Sequence, residues 1–557
     1  MKFVFALFIA LVAFSCAEDA PGNLELVSSP EYVEDRSARV VIFEGAVARG
    51  DVYSATVSRV LDSPVYMDWD TEFSGDTFWI SRVSIRDAEN QILWADQINT
   101  MFQLVEFLST VIAQQTNLSL GPFQSFTFVY EQYPALVEFA VRMPIGIPGG
   151  VDLVLEVPDA DGEFQEVFRG GVAELVEREE PPQIATEITT YHETGPPEDS
   201  LDIVILGDGY RTQERENFEL DSKAISDAIL RTEPFASHKG IINIHAVFTP
   251  SVDRGAGYDC TGNPFLDAGC RTELRDTVFG TTFVVTALAD RLNLDFGASD
   301  RVAMPLEIAR IYDVASQAQF DEIVLISNTR RPSGFAGLYI SVLTTYGGDR
   351  SVFPDVAVHE LGHSFGVLGD EYMVQGDPCL FNEPRVPLPV NIAPFDDGEV
   401  KWSQWVGPST PIPTPDSEKI AHPVGAYEGA YNCDFLYRPS YECKMNTDEK
   451  GDFCPVCMEQ MTRRLYSVVD ITANEEPLVE ENGSSIVFHA PLHEEGPWTA
   501  NWFVNDEPVG QGPSFELNAG DISGQAVVAA EVVETSGNTR VEDPRLSRRL
   551  EWQVRRQ

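Results

Sequence analysis

Two histidines and one glutamate near the middle of the chain have the spacing of a metal-dependent hydrolytic site. The segment reads His359-Glu360-Leu361-Gly362-His363. On a helix, residues four apart lie on one face, so both imidazoles can reach the same metal ion. A zinc ion held by three protein ligands keeps one position for water and lowers the pKa of that water. Because the Glu360 carboxylate can then accept the water proton, the spacing predicts zinc-activated hydrolysis.

The residues that flank this motif argue against a chance match. The preceding segment Phe353–Val358 contains Pro354, near the predicted start of a helix, and apolar residues for the face opposite the ligands. Gly366 is expected to take a positive φ and to end the helix, which turns the chain back toward the metal. An acidic pair, Asp370-Glu371, follows four residues later. The sequence therefore predicts a catalytic helix followed by a sharp turn.

Length and charge limit the organisation and the partners of the protein. A chain of 557 residues is too long for one core and predicts about three domains. It carries 88 acidic and 38 basic residues, a net charge of −50. Such a surface repels nucleic acid phosphates and anionic lipid headgroups, so neither is expected as a partner. The charge is compatible with a saline habitat and equally with an ordinary solvated acidic exterior.

The first seventeen residues predict export. Met1-Lys2 precedes an apolar run from Phe3 to Phe14, which is typical of a signal peptide over residues 1–17. Cleavage before Cys16 would give a lipoprotein at the outer membrane or cell surface, whereas cleavage after Ala17 would give a secreted protein. No later stretch is long and apolar enough to span a bilayer. Membrane contact is therefore expected only through a lipid anchor at Cys16.

Either cleavage leaves seven cysteines with an unmodified thiol, because Cys16 is removed in one case and lipidated in the other, and this odd number leaves at least one thiol unpaired within the chain. Cys260 and Cys270 bracket a short loop and could pair. The other five follow the histidine motif: Cys379, Cys433, Cys443, Cys454 and Cys457. The last four of these suit either a second, structural zinc site or disulfides. An oxidising compartment favours disulfides.

The segment 25–180 predicts an N-terminal β-sandwich with one helix around residues 101–115. Its short β-like runs, separated by turns, include 38–43, 78–83, 126–130 and 151–155. Residues 181–200 are rich in proline and acidic side chains, which is typical of a linker. A domain boundary is expected there.

Residues 201–470 predict an α/β domain that carries the histidine motif. Apolar runs at 201–206, 241–248 and 322–326 indicate strands, and 214–230 indicates an amphipathic helix. Gly337, Leu338 and Tyr339 lie in a further strand just before the motif, where they form either the upper rim of a substrate cleft or an ordinary sheet edge. Residues 471–557 alternate like short strands and predict a C-terminal Ig-like β-sandwich.

Several motifs in the central region together resemble the IgA-peptidase family of secreted bacterial zinc metallopeptidases, which is itself metzincin-like. The resemblance covers about residues 200–465 and rests on the segments 205–210, 233–235, 359–372, 443–445 and 453–457. It implies a multidomain protein in which an α/β zinc peptidase domain lies between an N-terminal β-sandwich and a C-terminal Ig-like one.

The resemblance also implies roles for individual residues. His359 and His363 bind zinc and Glu360 is the general base. In metzincins the third ligand lies three residues after the glycine, but Gly369 occupies that position here, so Asp370 is the expected ligand and Glu371 the alternative. Met445 is the expected counterpart of the methionine beneath the metal. The alternative for Met445 is a core methionine beside a disulfide.

The predicted function is that of an exported zinc endopeptidase that acts on extracellular proteins or glycoproteins. Cleavage of another amide or of a glycan-decorated peptide stays open. The alternative from another class is a non-catalytic surface protein that binds glycans or proteins and keeps a structural or vestigial metal site. A general base beside the metal argues against that alternative, because a structural zinc site fills all four positions with protein ligands.

Overall fold

The computed structural model describes the central and C-terminal parts of the chain most completely. The described residues are 23–30, 38–47, 53–63, 81–98, 138–144, 149–158, 164–172, 184–260, 271–283, 302–337, 340–373, 379, 388–394, 400–446 and 451–557. The predicted signal peptide, Cys16 and the predicted helix at 101–115 lie outside them. Among the described residues, no helix has both the length and the apolar character that a membrane crossing requires.

A mixed six-stranded sheet forms the centre of the molecule. In spatial order its strands are Gly334–Gly337, Ile340–Thr344, Glu322–Ser327, Leu201–Asp208, Ile242–Phe248 and Glu187–His192. The four inner strands are parallel, and both outer strands run antiparallel to their neighbours. The inner strands are buried along their whole length, as expected for strands covered on both faces. The three strands predicted from apolar runs in this region are therefore confirmed.

The side chains of Leu201–Asp208 alternate between two cores, which is the pattern of a strand covered on both faces. Ile203 and Ile205 belong to the core that includes the helices Arg215–Arg231 and Phe353–Ser364. Val204 and Leu206 belong to the core that includes the helix Ile308–Ala315. The helix that carries the histidine motif therefore packs on one defined face of the sheet.

The remaining helices are short or lie beyond the sheet. Pro455–Val468 is a fourth α-helix among the described residues. Short 3₁₀ turns occupy Pro197–Asp199, Thr212–Glu214, Lys239–Ile241, Ser403–Trp405, Asp416–Glu418 and Pro544–Leu546. Two small sheets accompany them, formed by the strands Thr282–Phe283 and Ala303–Met304, and by Ala393–Pro394, Cys433–Arg438 and Tyr427–Ala430.

The N-terminal region contains two antiparallel sheets. One consists of Tyr53–Ser63, Ala38–Val47 and Glu138–Pro144, in that spatial order, and the other of Ile92–Ile98, Ser81–Arg86, Asp152–Pro158 and Phe164–Gly171. The predicted runs at 38–43 and 151–155 fall on observed strands, whereas 126–130 and the beginning of 78–83 lie outside the described residues.

The C-terminal region also contains two antiparallel sheets. One consists of Leu24–Ser28, Ser547–Arg556, Gln525–Glu534, Trp498–Val504 and Glu507–Gln511, and the other of Val479–Glu481, Ser485–His489 and Ser514–Asn518. Trp502 and Trp552 stack at a centroid distance of 5.8 Å and contact Phe488 of the second sheet. Large aromatic side chains thus fill the space between the two sheets.

Two strands belong to other sheets than their positions in the sequence suggest. Leu24–Ser28 pairs with Ser547–Arg556, and so begins the C-terminal sheet although it precedes the N-terminal region. Glu187–His192 lies inside the predicted linker 181–200, yet it pairs with Ile242–Phe248 and extends the central sheet. An edge strand is half exposed and tolerates polar side chains, so the composition of this segment resembles that of a linker.

A buried glutamate on the helix Pro455–Val468 connects the central region to the C-terminal region. The Glu459 carboxylate accepts hydrogen bonds from the backbone N–H groups of Arg540 (2.6 Å) and Val541 (2.8 Å). Its other oxygen accepts a hydrogen bond from the Trp405 indole. Glu459 is only 4% exposed, so water cannot replace these partners if the carboxylate is removed.

Replacing Glu459 by alanine should therefore lower the free energy of unfolding by roughly 3 kcal/mol, because buried donors to a charged group lose their acceptor. Denaturant-induced unfolding would measure the loss. Glu507→Ala, at an exposed strand position, serves as the control and should change the stability by less than about 0.5 kcal/mol. Equal unfolding midpoints for the two variants would contradict the role assigned to Glu459.

Candidate metal centre

The helix Phe353–Ser364 brings the two motif histidines together. Their ring centroids are 4.9 Å apart, as expected for residues one helical turn apart. The Nδ1–H of His359 donates to the carbonyl of Lys444 and that of His363 to the carbonyl of Leu368, both at 2.7 Å. With Nδ1 acting as the donor, Nε2 presents its lone pair on the other side when the ring is neutral. Both imidazoles are thus oriented as metal ligands.

The turn after the helix differs from the prediction for Gly366. The residue that takes a positive φ is Val367, at 53°, whereas Gly366 is not among the residues in that region of backbone space. The glycine is required for packing instead, because a Cβ at this position would collide with the Met461 sulfur and with the Gly362 carbonyl oxygen. The Leu368 N–H donates to that same carbonyl at 2.9 Å. The prediction of a turn was right, and its conformational explanation was wrong.

Asp370 completes a group of three donor atoms with the two histidines. Its Oδ1 lies 3.3 Å from Nε2 of His359 and 3.1 Å from Nε2 of His363. The three side chains form a group in which one ligand atom from each lies within 4.8 Å of the others. Oδ1 is buried. Three donor atoms that converge at these distances could hold one cation between them.

Charge within this group shifts the pKa values of all three side chains. Burial lowers the pKa values of both histidines, but the effect of the Asp370 carboxylate is larger. It raises the pKa of His363 to about 9 and also raises the pKa of His359. Burial would raise the pKa of Asp370, but the two imidazoles hold it well below its usual range. A metal ion that binds here must displace protons from the imidazoles, so its affinity falls as the pH falls below about 9.

The segment that carries Asp370 is fixed by a residue that the sequence did not reveal. The side-chain oxygen of Asn391 accepts from the Gly369 N–H, and its NH₂ group donates to the Gly369 carbonyl, each at 2.8 Å. The same NH₂ group donates to Oε1 of Glu371 at 2.9 Å. A Cβ at position 369 would collide with the Tyr431 hydroxyl and with Ile392. Asn391 has no recognisable motif around it, so spacing alone offered no signal.

The predicted general base, Glu360, is buried beside the histidines and is 5% exposed. Gly334, the first residue of the edge strand Gly334–Gly337, lies directly against its carboxylate, and a Cβ on Gly334 would collide with Oε1. The edge of the central sheet therefore runs past this carboxylate. Of the predicted substrate rim, Gly337 ends the same strand, whereas Leu338 and Tyr339 lie outside the described residues.

Met445 packs beneath the helix that carries the histidines. It is fully buried, and its sulfur lies so close to Gly362 that a Cβ there would collide with it. The neighbouring Lys444 carbonyl accepts the hydrogen bond from His359. Cys443, two residues before Met445, is a free thiol. That cysteine therefore forms no disulfide beside Met445. The loop that contains Met445 thus supports the motif from below.

Glu371, the alternative third ligand, belongs to a different group. Its carboxylate clusters with the sulfur atoms of Cys443, Cys454 and Cys457, and we call these four residues the thiol cluster. The three cysteines are free and buried. Burial raises the pKa of Cys454, but hydrogen bonds from the thiols of Cys443 and Cys457 bring it down to about 6.

The sequence favours disulfides for the four cysteines from Cys433 to Cys457, and the structure agrees with this only in part. Cys379 and Cys433 are bonded to each other, so of the four cysteines between 433 and 457 only Cys433 is in a disulfide. Cys260 is also disulfide-bonded, and its expected partner, Cys270, lies outside the described residues.

Two tyrosines, Tyr372 and Tyr431, lie close enough to the Asp370 carboxylate for its charge to affect their pKa values. The Asp370 carboxylate, burial and Glu360 together raise the pKa of Tyr372. Burial and Asp370 likewise raise the pKa of Tyr431, whose N–H donates to the Asp370 carbonyl at 3.2 Å. Both phenols therefore stay protonated over the neutral pH range and can act as hydrogen-bond donors.

Comparison with known proteins identifies the central region. The sequence model of the family described as IgA Peptidase M64 matches residues 189–422, which confirms the resemblance inferred from the motifs. The match includes the histidine motif and Asp370, and it begins inside the strand Glu187–His192. It ends before the three free cysteines. No curated protein matches the chain.

Replacing Asn391 by alanine should weaken metal binding at the histidines by roughly 10- to 100-fold, because residues that orient ligands typically contribute that much. Competition with a chromophoric chelator at constant pH would measure the dissociation constant. Asn518→Ala, at an exposed strand end, is the matched control and should leave the constant unchanged. An unaltered constant for Asn391→Ala would show that the Gly369–Glu371 segment holds its position without this side chain.

Proposed function

Because this chain belongs, through residues 189–422, to the IgA peptidase M64 family of metallopeptidases, we propose that it is a zinc-dependent endopeptidase. The observation that carries the proposal is the convergence of Nε2 of His359, Nε2 of His363 and Oδ1 of Asp370. Two neutral imidazoles and one carboxylate leave a fourth position for water or substrate. This is the ligand set of a catalytic site rather than of a closed structural site.

Zinc fits these donors better than a harder cation does. Bonds of about 2.0–2.1 Å in tetrahedral geometry place ligand atoms about 3.3 Å apart, and the two histidine nitrogens lie 3.3 Å and 3.1 Å from the Asp370 oxygen. Calcium and magnesium prefer sites composed of oxygen atoms. When bound there, zinc would polarise the scissile carbonyl and make the attacking water more acidic.

Glu360 is proposed as the general base. It follows His359 directly on the helix, and its buried carboxylate faces Gly334, where no side chain intervenes. A carboxylate at this place can accept a proton from the attacking water and then deliver it to the leaving amine. Tyr372 is proposed as a hydrogen-bond donor to the developing oxyanion, because its raised pKa keeps it protonated. We give no catalytic role to His422, whose Nδ1 lies within hydrogen-bond distance of the Thr410 hydroxyl, at 3.0 Å.

The edge strand Gly334–Gly337 is the proposed binding site for the substrate backbone. In the described part of the sheet this strand is the outermost one, and Ile340–Thr344 is its single neighbour. An extended peptide can add to such an edge through main-chain hydrogen bonds. The strand begins against Glu360, so a peptide that lies along it passes the proposed base. Proteins and glycoproteins are the substrate classes we propose.

Export of the protein is part of the proposal. The charged and apolar pattern of residues 1–17 supports a signal peptide, and Cys16 supports a lipid anchor as the alternative to free secretion. The disulfide between Cys379 and Cys433 fits an oxidising compartment. The net charge of −50 argues against nucleic acid as a partner.

Replacing Glu360 by glutamine should lower kcat by roughly 100- to 10,000-fold while the bound metal is retained, because the amide keeps the shape but cannot accept the proton. Mass spectrometry of a proteome-derived peptide library would measure cleavage and define specificity, and elemental analysis would measure the metal. Glu507→Gln is the exposed control. Full activity in Glu360→Gln would refute the general-base assignment.

The same experiment addresses the alternative of a non-catalytic binding protein. That alternative predicts no cleavage by the parent chain, with or without a chelator. A peptidase predicts cleavage that a chelator abolishes and that added zinc restores.

Replacing Asp370 by asparagine should remove one of the three ligands of the histidine centre. Removing a residue that only orients a ligand typically weakens metal binding by roughly 10- to 100-fold. Removing the ligand itself should weaken metal binding by more than that, and peptide cleavage should be lost as well. Asp434→Asn, exposed on the strand Cys433–Arg438, is the control. If Asp370→Asn binds zinc as tightly as the parent, another residue is the third ligand.

A further inference from the structure

The thiol cluster has the composition of a second metal site. Its four donors are buried, with Glu371 and Cys457 fully inaccessible to solvent, and their ligand atoms all lie within 4.8 Å of one another. The sulfur atoms of Cys443 and Cys457 are 3.7 Å apart, and Cys457 Sγ lies 3.2 Å from Oε1 of Glu371. Tetrahedral zinc with Zn–S bonds of about 2.3 Å separates its sulfur ligands by about 3.75 Å.

Three separate parts of the chain deliver these donors to one point. Cys454 precedes the helix Pro455–Val468 and Cys457 lies in its first turn, so the Cys-Pro-Val-Cys spacing places both thiols at one helix end. The Cys454 N–H donates to Cys443 Sγ at 3.3 Å, which draws the loop of Met445 to the same end. Glu371 arrives from the segment that follows the histidine helix.

Disulfide formation accounts poorly for this arrangement. The cluster contains three thiols, so any disulfide within it leaves one thiol and the Glu371 carboxylate buried together. The second carboxylate oxygen, Oε2, is buried and has no hydrogen-bond partner in the described structure. Burying a polar oxygen without a partner is costly, whereas a bound cation would compensate it. Arg438 interacts electrostatically with Glu371 and Cys443 and supplies one positive charge.

We propose that Glu371, Cys443, Cys454 and Cys457 bind a second metal ion, distinct from that of the histidine centre, and that this ion is a structural zinc. Soft thiolate ligands favour zinc over calcium or magnesium. Four protein ligands fill the tetrahedron and leave no position for water, as is typical of structural zinc sites. The proposal does not depend on peptidase activity.

The proposed ion would hold both segments that position the histidine centre. The Glu371 N–H donates to the Met445 carbonyl at 2.7 Å, and the Lys444 carbonyl accepts from Nδ1 of His359 at 2.7 Å. Glu371 adjoins the ligand Asp370, and Cys443 adjoins Lys444. A cation that joins Glu371 to Cys443 therefore fixes the Asp370 segment relative to the loop beneath the histidines.

The test is reconstitution of the full chain with cobalt(II), the probe metal, after removal of bound metals by a chelator under anaerobic conditions. Thiolate ligands give cobalt(II) an intense charge-transfer absorption in the near ultraviolet, which histidine and carboxylate ligands do not give. We expect two cobalt ions per chain and this absorption in the parent. The variant His359→Ala/His363→Ala should bind one ion and keep the absorption.

The cysteine variants provide the converse measurement. Cys454→Ser/Cys457→Ser should lose one ion and the thiolate absorption. Glu371→Gln should keep the absorption, because three thiolates remain, but should release cobalt at a lower chelator concentration. Cys379→Ser/Cys433→Ser is the matched control, since it removes two cysteines outside the cluster and should keep both ions and the absorption.

Two results would overturn the proposal. One is the absence of thiolate absorption in the histidine variant, and this result does not depend on whether the cysteine variants fold. The other is a disulfide within the thiol cluster, detected by mass spectrometry of the parent isolated without reductant. Loss of peptidase activity with an intact thiolate absorption would count against the proposed function and leave the second site standing.

Discussion

The hydrogen bond from the Glu371 N–H to the Met445 carbonyl, 2.7 Å long, joins the two segments on which the candidate metal centre depends. On one side of it Asp370 supplies the carboxylate that meets both imidazoles. On the other side the Lys444 carbonyl orients the imidazole of His359. These segments are more than seventy residues apart in the sequence. Their connection is therefore tertiary, and the helix alone could position only two of the three donor atoms.

Three glycines make this close packing possible, and each excludes a different collision. A Cβ would meet the Met445 sulfur at Gly362, the Met461 sulfur at Gly366 and the Tyr431 hydroxyl at Gly369. The helix thus lies directly on Met445, and the segment that follows it lies against Met461 and then against Tyr431. Interiors packed at this density transmit small displacements. A methyl group at any of the three positions would collide with its neighbour and force a local shift.

What the sequence predicted well is local in origin. The spacing of the histidines on a helix, the three strands of the α/β domain and the helix Arg215–Arg231 follow from periodicity, and the structure has them within a few residues. What the sequence could not predict requires distant partners. Asn391 and Gly334 have no distinctive neighbours, and the strand Leu24–Ser28 pairs with the other end of the chain. The pairing of Cys433 with Cys379 likewise depends on which loops meet.

Asp370 and Glu371 are consecutive in the sequence but belong to different groups. Asp370 lies with the two histidines, and Glu371 lies in the thiol cluster. A shift of one residue would exchange the two carboxylates, and the two Asn391 hydrogen bonds to Gly369 oppose that shift. The absence of a side chain at position 369 lets Tyr431 and Ile392 approach, and this packing also holds the next two residues between the two groups of candidate ligands.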